Sequence, residues 1–114
     1  MPYISTKVNI PVSKEAETKL AEKYGEIITL VPGKTERWLM LSFEAEARLW
    51  FGGKCDEPMA YVELKLFGGT SDAVYDKLTA AVCDALSQVL NISSANVYVK
   101  YEEAEHWGWN NSNF

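Results

Sequence analysis

The stretch PMAYVELKLFGGTSDAVYDKLTAAVCDALSQVL (58–90) changes its period halfway along. Up to Phe67 the apolar residues alternate. Ala60, Val62, Leu64 and Leu66 fall on one side, and Tyr61, Glu63, Lys65 and Phe67 on the other. That is the period of a strand with one face in a core. From Ser71 the spacing becomes helical, with Val74, Leu78, Val82, Ala85, Leu86 and Val89 on one stripe. The following NVYVKYEEA (96–104) alternates again, Val97, Val99 and Tyr101 against Tyr98, Lys100 and Glu102. Strand, helix and strand in this order predict a βαβ unit, with parallel strands and a right-handed crossover.

The first half repeats the order. PYISTKVNI (2–10) reads as a strand and SKEAETKLAEKYGEIITLV (13–31) as a helix, with Ser13 as its N-cap and Pro32-Gly33 as its stop. WLMLSFEAEA (38–47) reads as the next strand, with Leu39, Leu41, Phe43 and Ala45 on its apolar side. Pro2 and Pro58 are 56 residues apart, whereas the helix starts at 13 and 71 and the strand starts at 38 and 96 are each 58 apart. The chain is therefore expected to be an α+β fold in which two βαβ pseudo-repeats form a four-stranded mixed sheet, with two helices on one face. The other face mixes charges with aromatics, which suits either solvent or a wet channel between subunits.

At 114 residues the chain is expected to form a single domain, 1–114. Its net charge of −5, with no basic run, argues against nucleic acid and anionic membranes as partners. No apolar run approaches the roughly 20 residues of a membrane span. Cys55 and Cys83 match no metal-binding spacing, which fits two free thiols in a reducing compartment. No signal peptide is visible, so a cytoplasmic location is expected, with leaderless release as the alternative. The ending EHWGWNNSNF carries Trp107, Trp109 and Phe114 outside any long element. Aromatics this dense need cover, and they point to subunit association.

MPYISTKVNI, the chain start, permits two readings. Proline is tolerated as the first residue of a strand because it need not donate to the ladder there. Alternatively, loss of Met1 would leave Pro2 with a free secondary amine, and α-amino groups titrate at about 7.7–8.0, where they can serve as bases.

The Met-Pro start, ISSANVYVKY (92–101) and WGWNNSNF (107–114), together with PGK (32–34) and EPMAYVELKLFG (57–68), resemble the family of macrophage migration inhibitory factor and D-dopachrome tautomerase, within the tautomerase superfamily. The resemblance runs over the whole chain. It implies a homotrimer with active sites between neighbouring subunits, no cofactor and no metal. It also implies that Pro2 is the catalytic base and that Lys34 binds the acidic end of the substrate. Phe67 stands where the family has an isoleucine whose backbone contacts substrate, and Tyr98 matches a tyrosine donated by the adjacent subunit. Trp38 falls where the family often has a tyrosine, while Trp107, Trp109 and Phe114 match residues near the pocket mouth.

Two positions depart from the family pattern. Lys100 replaces the asparagine of the best-known members. Met59-Ala-Tyr-Val62 stands where mammalian members carry a redox CxxC, so no thiol–disulfide activity is carried over.

Chemistry favours the second reading of Pro2. Keto–enol tautomerisation needs a base with a pKa near the working pH and stabilisation of enolate charge. Burial of the Pro2 amine among Trp107, Trp109, Phe114 and Phe67 would disfavour its charged form, and Lys34 and Lys100 would disfavour it further. The expected function is a cofactor-independent tautomerase of phenylpyruvate-like α-keto acids. A cytokine-like signalling ligand with incidental tautomerase activity is the alternative, and a receptor would be its partner if the protein is released. Taken alone, Lys34 could instead serve a helix dipole, Tyr98 could be an ordinary strand aromatic, and Trp107 and Trp109 could be purely interfacial.

Overall fold

The computed structural model describes residues 1–114. Its four main strands are β1 (Pro2–Val8), β2 (Met40–Glu44), β3 (Ala60–Phe67) and β4 (Val97–Ala104). They form one sheet in the order β2-β1-β3-β4. β1 runs parallel to β2 and antiparallel to β3, and β3 runs parallel to β4. Each parallel pair is joined through a helix, α1 (Lys14–Ile27) in the first half and α2 (Asp72–Leu90) in the second. Two βαβ units thus meet along β1 and β3 in a four-stranded mixed sheet, as the repeated order of elements predicts.

Alternation sets the core. Ile4, Val8, Val62, Leu64 and Leu66 point from the two central strands into one buried cluster with Leu20, Tyr24 and Ile28 of the first half and Leu78, Val82, Ala85 and Leu86 of α2. Both helices therefore cover the same face of the sheet. Ser13 and Ser71 cap the helix starts by accepting from Ala16 N at 3.1 Å and Val74 N at 3.3 Å. α2 ends on Asn91, whose φ of 55° reverses the chain in the left-handed region.

The elements depart from the sequence reading at three places. The first helix stops at Ile27 and tightens into a 3-10 turn, Ile28–Leu30. The strand expected over 38–47 runs only over Met40–Glu44: Glu36–Trp38 forms another 3-10 turn before it, and Glu46, at φ 56°, lies past its end, so Ala45 is outside the strand. Trp38 therefore sits on a turn before the strand, where its side chain is free of the alternating pattern. The aromatic tail folds back as a hairpin, β5 (Gly108–Trp109) with β6 (Ser112–Asn113). Asn110 and Asn111, at φ 50° and 73°, supply the two positive-φ residues of a tight hairpin turn.

One polar contact lies inside the core: the Tyr24 hydroxyl and the Thr6 hydroxyl are 2.9 Å apart, both buried. Removing one partner leaves the other without a bond, whereas removing both does not. Tyr24→Phe is expected to lower stability by about 1–3 kcal/mol. Adding Thr6→Val should cost less than the sum of the single changes, as measured by urea unfolding of the single and double variants.

Candidate active site at the chain start

Proline is tolerated as the first residue of a strand, and β1 begins on Pro2. Its register opposite β3 places Pro2 beside Leu66, and the Phe67 amide donates to the Met1 carbonyl at 3.1 Å. The chain start is thereby fixed at one end of the central strands. Lys34 is brought to the same place by a tight turn. Its amide donates to the Val31 carbonyl at 3.1 Å, across Pro32 and Gly33, and Gly33 takes φ 81°. Proline followed by a positive-φ glycine is the sequence demand of a type II turn. From that turn the Lys34 ammonium donates to the Phe67 carbonyl at 3.0 Å.

The amine at the chain start therefore sits in an unusual field. Partial burial pushes the Met1 ammonium down from 8.0 to about 6, and the hydrogen bond and positive charge of Lys34 push in the same direction. The amine is then neutral over most of the physiological range.

A cleft of about 760 Å³ opens beside this amine. Met1, Pro2 and Tyr3 form one side; Trp38, Leu39, Met40, Leu41 and Ser42 another; and Trp107, Gly108 and Trp109 a third. The Tyr3 hydroxyl and the Ser42 hydroxyl pair at 2.7 Å. Aromatic contacts tie the walls together. Trp38 meets Trp109 edge-on at 4.9 Å, Trp109 stacks on Phe114 at 6.3 Å, and Phe114 lies 5.9 Å from Phe67. The structure thus brings Pro2, Lys34, Phe67, Trp38, Trp107, Trp109 and Phe114 to one end of the sheet.

Tyr98 and Lys100 are not among them. Tyr98 is paired in register with Tyr61, five positions along β3 from the Leu66 that faces Pro2. At about 3.3 Å per residue, that is roughly 17 Å along the strand. Tyr98 instead packs against Phe51 at 4.8 Å. Lys100 is exposed and bonds to Glu102 at 3.3 Å, which raises its pKa, Glu102 being the main cause. Within one chain, then, Lys34 and burial lower the terminal amine and Lys100 takes no part.

Sequence reasoning missed Arg37, whose guanidinium lies 5.0 Å from the centre of the Trp38 ring at the cleft. A strand reading of 38–47 left 37 as an unassigned connector, and only the 3-10 turn explains its position.

The family model described as Macrophage migration inhibitory factor (MIF) matches residues 1–114. Macrophage migration inhibitory factor of Rattus norvegicus is 28% identical, over 100% of this chain and 99% of its own length. Among solved structures, Leishmania major MIF2 superposes with a TM-score of 0.93 at 28% identity, covering 100% of this chain and 97% of its own. The macrophage migration inhibitory factor homologue from Prochlorococcus marinus gives a TM-score of 0.82 at 28% identity, covering 98% of each chain. The chain belongs to the macrophage migration inhibitory factor family.

The neutral form of an amine is the one that reacts with acylating reagents, and its fraction rises with pH through the pKa. With Met1 in place, acylation of the chain start is expected to reach half its plateau rate near pH 6. In Lys34→Met the midpoint should move toward the ordinary 8.0. Mass spectrometry of the N-terminal peptide across a pH series reads both.

Proposed function

We propose that this member of the family is a cofactor-independent keto–enol tautomerase acting on phenylpyruvate-like α-keto acids, as a single domain spanning 1–114, with Pro2 as the base once Met1 is removed. The observation that carries the reading is the chain-start amine, which partial burial and Lys34 keep neutral beside an aromatic cleft. Removal of Met1 would transfer that environment to the secondary amine of Pro2. It would also free the Phe67 amide, which now bonds to the Met1 carbonyl.

The reaction then needs only groups of this chain. The substrate carboxylate lies on the Lys34 ammonium, which already faces the Phe67 carbonyl. The aromatic ring lies among Trp38, Trp107, Trp109 and Phe114. Pro2 nitrogen takes a proton from the carbon next to the keto group. As that C–H bond breaks, its electron pair becomes the carbon–carbon double bond of the enol, and the carbonyl oxygen becomes negative. The prolinium returns the proton to that oxygen, and the amine is neutral again. A base near the working pH, in a site that resists its charged form, suits both steps.

The assembly we propose is a homotrimer. In the single chain, Trp50, Tyr98, Trp109 and Phe114 are 69%, 63%, 51% and 57% exposed. Such aromatics favour a subunit interface. Tyr98 is too far from its own Pro2 to line that cleft, so it can act only at a neighbour's.

Pro2→Gly, processed to the same length, is expected to keep the fold and lower kcat/KM on phenylpyruvate by roughly 10²-fold or more, the usual scale of a general base. Protein shown by intact mass to retain Met1 should be equally poor, since its Pro2 nitrogen is an amide. Wild-type rates from either sample would remove Pro2 from the mechanism.

The shared site has its own test. Sedimentation equilibrium should give three chains per particle at micromolar concentration. Refolding Pro2→Gly together with Tyr98→Ala should recover activity that neither variant has alone, because some clefts then combine an intact Pro2 with an intact neighbouring Tyr98.

A further inference from the structure

Arg37 is a cation with no acidic partner. The five ion pairs of the chain all lie elsewhere. The adjacent Glu36 turns the other way: its carboxylate lies over the buried backbone of Gly25, where a side chain would collide with it. The guanidinium instead lies against the Trp38 ring at 5.0 Å, and Trp109 holds that ring edge-on. Stacking fixes the plane of an arginine while leaving its N–H donors at the rim open to a ligand.

The lining of the cleft contains no aspartate or glutamate. In a chain of net charge −5, that is a local reversal of sign. Positive charge stands at two places around the cleft. Arg37 is in the lining itself, on the Trp38 wall, and Lys34 stands just behind the lining, against the chain-start amine. A monocarboxylate such as phenylpyruvate can pair with only one of them.

We infer that the cleft is built for α-keto acids that carry a second anionic group at the end remote from the keto acid, and that Arg37 is the residue that selects it. This rests on the tautomerase reading above, which assigns the keto-acid carboxylate to Lys34. The planar fork of Arg37 suits a second carboxylate, which it can hold by two parallel N–H···O bonds. The substrate body would bridge the two cations along the aromatic walls.

The test compares (4-carboxyphenyl)pyruvate with phenylpyruvate on the assembled, processed protein. The parent is expected to favour the dianion in kcat/KM by roughly tenfold, mainly through a lower KM, the scale of one charge-assisted contact. Arg37→Gln should abolish that preference while changing phenylpyruvate turnover less than about threefold, and Arg37→Lys should keep part of it. A parent with no preference overturns the inference. So does an Arg37→Gln loss that is equal on both substrates, since that would mean Arg37 only props the Trp38 ring. If neither substrate turns over, the tautomerase reading has failed, and calorimetry then decides the Arg37 site separately. Tighter binding of 4-carboxyphenylacetate than of phenylacetate, lost in Arg37→Gln, supports it, and equal binding overturns it.

Discussion

Everything at the candidate site depends on β1 lying in the middle of the sheet and beginning at residue 2. β1 is hydrogen-bonded on both sides, to β2 and to β3. Chain ends ordinarily fray, because nothing holds their first residues. Here the first residues are held by two ladders and by the apolar cluster under Ile4 and Val8. A terminal amine that would otherwise be mobile and solvated acquires a fixed position and a fixed set of neighbours. Proline suits that position on two grounds: it lacks the N–H that a strand would have to pair, and it is a secondary amine once exposed.

The two faces of the sheet divide the remaining work. One face is apolar under the helices and supplies the stability. The other carries Lys7, Glu44, Lys65, Lys100 and Glu102 in exposed pairs at 3.3 to 4.0 Å. Pairs of that kind contribute little to stability, roughly 0–1 kcal/mol each. They do fix where charge is found. Lys100 is held by Glu102, so the field it presents at the surface is partly cancelled. The sequence reading gave Lys34 and Lys100 similar weight as influences on the base. Within the chain the geometry separates them, since Lys34 meets the amine and Lys100 does not.

Period alone made the fold legible. Ala60, Val62, Leu64 and Leu66, then Leu78, Val82 and Leu86, announce their elements because both kinds of element bury one face against the same core. The repeat of that order gave the sheet its two halves. Short 3-10 segments have no such signature. Glu36–Trp38 bury nothing fully, so no pattern marked them as a turn; Trp38 was read into the strand, and Arg37 went unnoticed beside it. The tail hairpin was written in Asn110-Asn111, yet a two-residue strand is too short for alternation to show. The Met-Pro start raised Pro2 as a candidate by itself, whereas Lys34 was legible only through resemblance. Bringing Lys34 to the chain start needs the β1–β3 register and the turn at Gly33 together, and no local pattern contains both.

A base flanked by a cation raises a physical difficulty, because the cation that keeps the amine neutral also weakens it. The cleft offers a resolution. With Met1 in place, burial and Lys34 lower the chain-start amine to about 6, and the same neighbours would oppose protonation of Pro2 once Met1 is removed. When a carboxylate binds the Lys34 ammonium, the local charge falls, and one of the two effects that opposed protonation is largely removed. On the proposed mechanism, the Pro2 amine would then become a stronger base at the moment the substrate is in place. Basicity would thus be coupled to binding through a single lysine, and the anionic end of the substrate would orient the molecule and tune the group that attacks it. A neutral ketone of the same shape would reach the same amine without that gain. The proposed preference for acids therefore follows from the electrostatics of the base as much as from the contact with Lys34.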